Sequence, residues 1–461
     1  MSEITLYIAE HGDDANDGSE QSPLGSVAKA LEVVRWESYS KATLCIRGSI
    51  TERGGPEAMV QIFGKGLPPL LLCGESKKKP GVLSAKGLDR RVMSINDENT
   101  VSIENIEISD GTSAFMHGGA GVFISGSSTL TMESGSITHN KAGRGLGGGV
   151  YIDTDCEFIM RGGSITHNST DMNGGGVMPD AGGRFTMHGG VIAHNEGYVF
   201  GGGVFVGMNS TFVLHNGIIE HNSTGGDREM ELMGMQLPAG RGGGVFVSKS
   251  ATFTMNGGEI RKNSATTHID GDTMMGAGGG VYVEPEGVCT INKGVISQNT
   301  AKYWGAGVYT GGVTTLIAGT IIRNTAFIGG GVNVEGGGVF IMAGGFISDN
   351  LAQQHGGGLN VMERGVFTIE GGYINRNRVG DLGSAFVTAG TTTIEGGGIT
   401  DNHNVKKLPP QEDIAVMIAP GGKLYRNGGD ISGAFGMITA DQLVDTRENL
   451  PVHHVLHKKQ E

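Results

Sequence analysis

The sequence predicts an all-β protein whose chain winds as a parallel solenoid with three short strands in each coil. A glycine triplet followed by a short apolar strand recurs along the chain, as Gly-Gly-Gly-Val-Tyr-Ile at 147–152 and Gly-Gly-Gly-Val-Phe-Val at 201–206 and 242–247. An asparagine closes each unit, and most units are 25–28 residues long. A fixed period of this length suits three short strands and three turns better than a pair of helices. The asparagines are Asn140, Asn168, Asn195, Asn222, Asn263, Asn299, Asn324, Asn350, Asn377 and Asn402.

Apolar residues alternate with polar ones inside each unit, which is typical of strands with one buried face. Val150 and Ile152 flank Tyr151, and further along the chain Phe recurs with Met, Leu or Ile two residues later. These pairs are Phe185/Met187, Phe212/Leu214, Phe253/Met255, Phe340/Met342 and Phe367/Ile369. Successive units therefore stack like on like, with strands about 4.8 Å apart, and we expect about 14 coils.

Each coil needs corners, and the solenoid needs covered ends. We expect glycines at the positive-φ corners and an inward-turned asparagine whose amide bonds to the coils above and below. The predicted organisation is an N-terminal cap at 1–41, a solenoid at 42–432, and a C-terminal cap and tail at 433–461. Within the first cap, 26–34 forms an amphipathic helix with Ser26 as its N-cap. A short helix is expected to start at Thr439, followed by a frayed tail.

The composition of the chain limits the classes of binding partner that we expect. The formal net charge is −13, which argues against nucleic acid and anionic membranes as partners. No run of about 18 apolar residues is present, so membrane insertion is not expected. The first residues also lack the pattern of a signal peptide. Cys45 and Cys73 lie in apolar runs and are interpreted as buried free thiols.

The segment from Leu6 to Leu31, with its Gly-Asp-x-x-Asn-Asp-Gly, Pro and Ala-Leu pattern, resembles the N-terminal cap of pectate-lyase-like right-handed parallel β-helix proteins. The Gly-Gly-Gly-Val and Ile-x-x-Asn coils are similar to those of glycine-rich bacterial surface β-helix proteins, including adhesins. The resemblance implies the three-sheet right-handed fold and suggests a secreted or cell-surface location. It does not imply one function, because the superfamily contains lyases, hydrolases, epimerases and adhesins. The motif sets of polygalacturonase-like hydrolases and of pectate lyases are not recognisable.

The middle residue of the strand after each glycine triplet is predicted to face outward. An exposed sheet of aromatic rings at the coil repeat is suited to sugar rings or to an apolar partner. Two alternatives remain: the rings stack on one another and only stabilise the sheet, or they lie in the core. The outward positions are Phe123, Tyr151, Met178, Phe205, Phe246, Tyr282, Tyr309, Asn333 and Asn360.

Two units are longer than the rest, with extra residues at 223–241 and 264–277. Long loops on a rigid scaffold are usually functional, and these flank the predicted aromatic sheet. A neutral surface insertion is the alternative. The predicted ligand-binding residues are Tyr151, Phe205, Phe246, Tyr282, Tyr309, Tyr198, Tyr303 and Trp304.

Titratable residues also form columns. Asp153 and Asp180 follow the aromatic strand in adjacent coils, at a separation that suits a retaining glycosidase. Asp270 and Asp272 in the second long loop are weaker catalytic candidates, as are Asp227, Glu229 and Glu231 in the first. The histidine columns are His139, His167, His194 and His221, and His188 with His215. Solvated, pH-sensitive stacking is preferred to a metal site for them.

Asp13, Asp14 and Asp17 resemble a calcium loop by composition, although turn-forming cap residues are the preferred interpretation. Three hypotheses about function follow. The favoured one is a non-catalytic binding protein that recognises a polysaccharide or a protein partner through the aromatic sheet and its loops. The second is a polysaccharide lyase, hydrolase or epimerase that uses the same groove. The third is a structural rod or a homo-oligomer whose interface is the aromatic stripe.

Overall fold

The computed structural model describes residues 2–36, 38–51, 58–113, 118–225, 231–232, 235–236, 240–266, 276–406, 413–432, 434–437, 442–445 and 454–456. The chain divides into two compact units, Met1–Ile218 and Ile219–Glu461. Apart from one helix, the described elements are strands. The expected all-β class is therefore confirmed.

The first unit builds parallel sheets in which successive coils add strands to sheets 1, 2 and 3, and later coils also to sheet 4. Sheet 1 contains Ser2–Ala9, Tyr39–Arg47, Leu70–Gly74, Thr100–Glu104, Thr129–Met132, Glu157–Met160, Arg184–Met187 and Thr211–Leu214. Sheet 2 contains Ala58–Ile62, Arg91–Ile95, Val122–Ile124, Val150–Ile152, Val177–Pro179 and Val204–Val206. Sheet 3 contains Ser49–Ile50, Gly81–Ser84, Ile106–Ser109, Gly135–Thr138, Ser164–Thr166 and Val191–Ala193, and sheet 4 contains Ser169–Thr170 and Glu196–Gly197.

The second unit has the same order of strands within a coil. Its sheet 1 contains Thr252–Met255, Val288–Ile291, Val313–Leu316, Val339–Met342, Val366–Ile369, Thr391–Ile394, Lys423–Arg426 and Leu443–Asp445. Its sheet 2 contains Val245–Val247, Val281–Val283, Val308–Thr310, Val332–Val334, Leu359–Val361, Phe386–Thr388, Ile414–Ile418, Ala434–Met437 and His454–Leu456. Its sheet 3 contains Glu259–Arg261, Val295–Ser297, Thr320–Ile322, Phe346–Ser348, Tyr373–Asn375, Gly398–Thr400 and Asp430–Ile431, and Ile218–Glu220 lies at the unit boundary.

Short strands at the corner after sheet 3 pair into a fourth sheet, which the sequence analysis did not separate from the turns. In the second unit these strands are Ser223–Thr224, Ser264–Ala265, Thr300–Ala301, Thr325–Ile328, Leu351–His355, Arg378–Val379 and His403–Asn404. An antiparallel pair, Glu231–Leu232 with Met235–Gln236, lies inside the first long insertion. The three predicted sheets are thus present, and sheet 4 adds a further face.

Alternation along the strands fills the core. In sheet 1 of the first unit, Phe158, Phe185 and Phe212 are fully buried. Their rings stack at centroid distances of 5.2 and 4.7 Å. Residues between the buried positions, such as Thr186, are half-buried on the outer face. The expected stacking of equivalent residues is confirmed, and burying these rings is a large part of the hydrophobic stabilisation.

A ladder of buried asparagine amides forms the corner between sheets 3 and 4. In the first unit, Asn140 Nδ2 donates to Asn168 Oδ1 at 2.9 Å, and Asn168 Nδ2 donates to Asn195 Oδ1 at 3.0 Å. Each Nδ2 also donates to a carbonyl, as Asn168 does to Ile137. The second unit repeats the pattern from Asn222 to Asn402. The predicted inward asparagine is confirmed, and its pairing removes the cost of burying an amide.

The backbone reaches this corner through a left-handed residue. The residue before the asparagine has a positive φ in successive coils, for example 57° at His139 and 56° at Arg323. Side chains at such positions carry a steric cost. The conformation is nevertheless stable because it turns the following asparagine side chain into the bore, where the hydrogen bonds of the ladder stabilise it.

The first glycine of each triplet makes room for the aromatic strand residue that follows it. Gly278 has a φ of +65°, and a Cβ there would lie 2.7 Å from Cβ of Tyr282. Any side chain at this glycine would therefore displace the ring or the turn. The triplet and the aromatic residue are parts of one packing arrangement.

The N-terminal helix forms as predicted and extends from Val27 to Trp36. Its buried residues are Val27, Ala30, Leu31 and Val34, which form one face, and Ser26 Oγ accepts the Lys29 backbone N–H at 3.0 Å as the N-cap. At the other end, the helix expected from Thr439 is wrong for its described part, because Leu443–Asp445 is a strand of sheet 1. The tail expected to be frayed also contributes a strand, His454–Leu456.

Candidate functional site

The aromatic residues of sheet 2 stack as predicted in the second unit, but they are covered. The ring of Tyr282 lies 5.1 Å from that of Phe246 and 4.7 Å from that of Tyr309, with interplanar angles of 4°. Their neighbours in the strand fill the bore, so the rings are outside it. Even so, Phe246, Tyr282 and Tyr309 are only 0%, 4% and 8% exposed. The expected exposed aromatic sheet is therefore wrong for these three residues, which we call the covered stack.

The tyrosines of the covered stack are shielded from solvent. Burial raises the pKa of both Tyr282 and Tyr309 above the ordinary value. The guanidinium carbon of Arg241 lies 5.5 Å from the centroid of the Tyr282 ring. A ring held between two others and next to a cation has little face left for a ligand. The covered stack is consequently a stabilising element, which was one of the two alternatives to binding.

In the first unit the predicted aromatic residues differ in burial. Phe205 and Tyr198 are buried, so they are not available as a binding surface either. Tyr151 is half-buried, and its ring stacks on that of Phe123 at 5.7 Å. The guanidinium of Arg91 lies over the Phe123 ring at 4.5 Å. Tyr151 therefore remains partly accessible.

The Tyr151 hydroxyl forms a hydrogen bond to the column of aspartates, Asp153 and Asp180. It donates to Asp180 Oδ2 at 3.0 Å. Asp153 and Asp180 follow paired strands in equivalent positions, as predicted. Burial raises the pKa of the Asp180 carboxyl, and the charge of Asp153 adds to the rise, while the hydrogen bond from Tyr151 opposes it. One carboxyl of the pair is therefore easier to protonate than an ordinary aspartic acid.

A groove of about 690 Å³ lies on sheet 4 of the second unit. Tyr303 and Phe327 form its aromatic part, with ring centroids 6.1 Å apart at an interplanar angle of 81°. Lys302 Nζ lies 5.5 Å from the centroid of the Tyr303 ring. We call this the Tyr303 groove. Its lining residues are Thr266, Thr300, Ala301, Lys302, Tyr303, Thr325, Ala326, Phe327 and Gln353.

Tyr303 is the predicted binding residue that lies in this groove. Trp304 is half-buried, forms backbone bridges to Ala277 and Ile328, and is not among the lining residues. Phe327 was not predicted, because it lies neither in a strand that follows a glycine triplet nor beside one of the two long insertions. The available signal was Asn324-Thr-Ala-Phe327, in which an aromatic residue follows the corner asparagine.

An exposed aromatic pair was missed as well. Phe346 and Tyr373 are 45% and 49% exposed, and their rings stack at 5.9 Å on the outer face of sheet 3 in the second unit. Their signal was an aromatic residue two positions before the serine or asparagine that ends the sheet 3 strand.

Several candidates fall outside the described residues. These are Asp270 and Asp272, together with Asp227, Glu229 and most of the two long loops. The backbone of Glu231 is described, but its side chain is not.

The histidine columns stack face to face. His167 lies between His139 and His194 at centroid distances of 5.1 Å, and His188 lies 4.8 Å from His215. Flat stacking does not converge ring nitrogens on one point, as a metal site requires. Among the described residues, no group of three or more His, Cys, Asp or Glu side chains has a metal-binding arrangement.

The acidic residues of the N-terminal cap accept hydrogen bonds from backbone and hydroxyl groups within the cap. Asp13 Oδ1 accepts from Ala15 N, and Asp17 Oδ1 accepts from Ser19 N, both at 2.9 Å. Asp14 accepts from Gly25 N and from Ser26 Oγ. These bonds are the ones expected of turn-forming cap residues.

Comparison with known proteins agrees with the coil architecture. Residues 92–278 match the protein family described as the right handed beta helix region. The chain folds as a right-handed parallel β-helix. No curated protein matched the β-helix sequence. Within the described residues, no helix is long and apolar enough to cross a membrane.

One solved structure is similar to the β-helix protein at low identity. It is the native GH136 lacto-N-biosidase from Eubacterium ramulus, with a TM-score of 0.30 and 11% sequence identity, covering 93% of this chain and 68% of that chain. These values support no statement about activity.

Proposed function

We propose that this β-helix protein is a non-catalytic carbohydrate-binding protein and that the Tyr303 groove receives the sugar. The observation that carries the proposal is the open aromatic corner formed by Tyr303 and Phe327 in a groove of about 690 Å³. That volume lies within the range of roughly 300–1,000 Å³ usual for ligand sites. The favoured sequence hypothesis is kept, but its site moves from sheet 2 to sheet 4.

The chemistry of the lining suits a sugar. Tyr303 and Phe327 are half-buried, so part of each ring is open to a ligand. An aromatic face packs against the C–H groups of a pyranose ring, while its polar neighbours bond to hydroxyl groups. Thr300, Gln353 and Lys302 supply donors at exposed positions of the same groove. The lysine also favours a sugar that carries a carboxylate or sulfate group.

The same lining favours binding over hydrolysis. Glycosidases generally use a pair of carboxyl groups beside the scissile bond. The described residues that line the Tyr303 groove are threonine, alanine, lysine, tyrosine, phenylalanine and glutamine. They offer contacts for recognition and contain no carboxylic acid.

The proposal is tested with a panel of soluble polysaccharides, using binding affinity and product release as the two readouts. Tyr303→Ala and Phe327→Ala are each expected to weaken binding about tenfold or more, since a central aromatic contact contributes over about 1 kcal/mol. Product release is expected to be absent for the natural chain.

Tyr373→Ala is the matched control, because it removes a tyrosine of similar size from an exposed place outside the groove. Its affinity is expected to equal that of the natural chain. Equal weakening by Tyr303→Ala and Tyr373→Ala would show that the groove is not the site. Binding of a protein but of no polysaccharide would overturn the carbohydrate assignment.

A second candidate function rests on Asp153 and Asp180 of the first unit. The raised pKa of Asp180 beside a second carboxyl group is the arrangement that general acid catalysis uses. If this pair cleaves a glycan, reducing ends or unsaturated uronides appear with the natural chain. Asp180→Asn would then abolish their formation.

A further inference from the structure

Two cysteines of the first unit, predicted as buried free thiols, lie side by side on an outer face. Cys45 and Cys73 are directly paired in register on neighbouring parallel strands of sheet 1. Leu44 and Ile46 on either side of Cys45 are buried in the core. Both cysteines are half-buried rather than buried, so the expectation of buried thiols is wrong for this pair.

The two sulfur atoms are in contact. Sγ of Cys45 lies 3.3 Å from Sγ of Cys73. Residues paired across adjacent strands have Cα atoms within the range that a disulfide bond spans, and such a bond brings the two sulfur atoms to about 2.05 Å. The pairing therefore places the two cysteines close enough for a bond between neighbouring coils.

Charged and polar neighbours make the two thiols unequal. The hydrogen bond shared with the Cys73 thiol, together with the nearby Arg47 guanidinium, lowers the pKa of Cys45 to about 7, although burial and Glu20 oppose the shift. The pKa of Cys73 is raised by the same hydrogen bond with Cys45 and by partial burial. Cys45 is thus the nucleophile of the pair at neutral pH.

Other groups surround the pair. Tyr7 is the register partner of Cys45 on one side, and Glu104 is that of Cys73 on the other. Glu104 raises and Lys41 lowers the pKa of Cys73. Arg47 is held in place by ion pairs with Glu20 at 2.6 Å and Glu75 at 3.1 Å, so the cation remains beside the pair.

We infer that Cys45 and Cys73 form a redox-active dithiol that a low-molecular-weight disulfide, such as oxidised glutathione, converts into a bond between neighbouring coils. The Cys45 thiolate attacks one sulfur of glutathione disulfide and releases one glutathione thiolate. Cys73 then loses its proton to solvent and attacks the Cys45 sulfur of the mixed disulfide, releasing the second glutathione. The dithiol is oxidised by two electrons and the glutathione disulfide is reduced by two.

The test treats the reduced, folded chain with oxidised glutathione and follows free thiols and peptide masses. Two of the four cysteines are expected to lose their thiols, and digestion is expected to yield one disulfide that links the peptides of Cys45 and Cys73. Cys156 and Cys289 are buried and are expected to stay reduced. Measured on the natural chain, this result needs no variant.

Single substitutions separate the roles of the two thiols. Cys73→Ser is expected to stop at a stable mixed disulfide between Cys45 and glutathione. Cys45→Ser is expected to react about fivefold more slowly, since the remaining thiol lacks a lowered pKa. A Cys156→Ala/Cys289→Ala variant is the matched control and is expected to form the Cys45–Cys73 bond as the natural chain does. Four unreacted thiols, or a mixed disulfide that accumulates in the natural chain without resolution, would overturn the inference.

Discussion

The second unit contains two groups of aromatic residues that differ in the exposure of their rings. The covered stack of Phe246, Tyr282 and Tyr309 is buried against itself, whereas Tyr303 and Phe327 of the Tyr303 groove keep open ring surface. Both lie outside the bore. The difference teaches that pointing outward and being accessible are separate properties. Rings in register on adjacent strands cover one another's faces, whereas rings at a corner meet edge to face and leave a concave surface.

The exposed pair Phe346 and Tyr373 is the intermediate case. Its rings stack at 5.9 Å with an angle of 14°, yet each residue remains nearly half exposed. Stacking alone therefore does not bury a ring. The stability that an aromatic column provides should depend on burial more than on the stack itself, and substitutions in the three places can separate these contributions.

The largest effect is expected for Tyr282→Ala in the covered stack. Removing a buried ring that touches rings on both sides leaves a cavity and should cost about 3 kcal/mol. Thermal or denaturant unfolding of the natural and substituted chains measures the loss. Carbohydrate affinity at a temperature where both chains are folded should stay the same.

Tyr373→Ala is the control for that substitution, because it removes a stacked but exposed tyrosine. It should cost less than about 1 kcal/mol. If Tyr373→Ala destabilises the chain as much as Tyr282→Ala does, burial is not what distinguishes the two columns. If Tyr282→Ala weakens carbohydrate binding without destabilising the chain, the covered stack is the binding site after all.

A smaller effect on stability is expected from ionisation of the tyrosine phenol groups at alkaline pH. Burial raises the folded-state pKa of Tyr282 and Tyr309 above the ordinary value of 10.0. Above pH 10 the unfolded chain releases these protons while the folded chain retains them. The associated stability is therefore complete below pH 10 and falls as the pH rises further.

Tyr282→Phe should consequently raise the pH midpoint of alkaline unfolding by roughly a few tenths of a unit. Phenolate absorbance and circular dichroism are followed together against pH. In the natural chain the covered tyrosines are expected to ionise only as the chain unfolds. Ionisation of Tyr282 in the folded chain near pH 10 would mean that water reaches its hydroxyl. Tyr373→Phe is the control and should leave the midpoint unchanged.

The sequence predicted the scaffold well because the coil repeat constrains it locally. Asn140 and its equivalents repeat at the coil period, and a buried amide must find partners, so the ladder follows from spacing alone. The phenylalanine column at Phe158 and Phe185 follows in the same way from alternation with a period of two. Ser26 and the apolar face behind it predicted the N-terminal helix and its cap.

The candidate site was only partly predictable, because exposure depends on neighbours that the repeat does not specify. The alternation of Val281, Tyr282 and Val283 predicted that the Tyr282 side chain points out of the bore. It did not predict that neighbouring rings cover that side chain. The short strands of sheet 4 were missed, since two-residue segments such as Thr300–Ala301 carry no periodic signal. Phe327 lies in the sheet 4 strand Thr325–Ile328, so the groove is recognisable only in the folded chain.

The smallest effect is expected for the histidine column of the first unit, which is a stack on an exposed surface. Burial, and then the charges of His194 and His139, lower the pKa of His167 below the ordinary value of 6.5. The unfolded chain therefore takes up the proton first as the pH falls below 6.5. The stability linked to the lowered pKa of His167 is therefore fully present above pH 6.5 and is lost as the pH falls further.

His167→Gln should remove part of this acid sensitivity while changing stability at neutral pH by only a few tenths of a kcal/mol, in the range of about 0–1 kcal/mol typical of exposed charged pairs. Unfolding measured at pH 7.5 and pH 5.5 is expected to show a smaller difference for His167→Gln than for the natural chain. His403→Gln is a suitable control, because His403 is exposed and its ring contact is a bond to the Asp401 carbonyl rather than a histidine stack. A loss at neutral pH as large as that of Tyr282→Ala would mean that ring stacking itself, without burial, stabilises a coil of this protein.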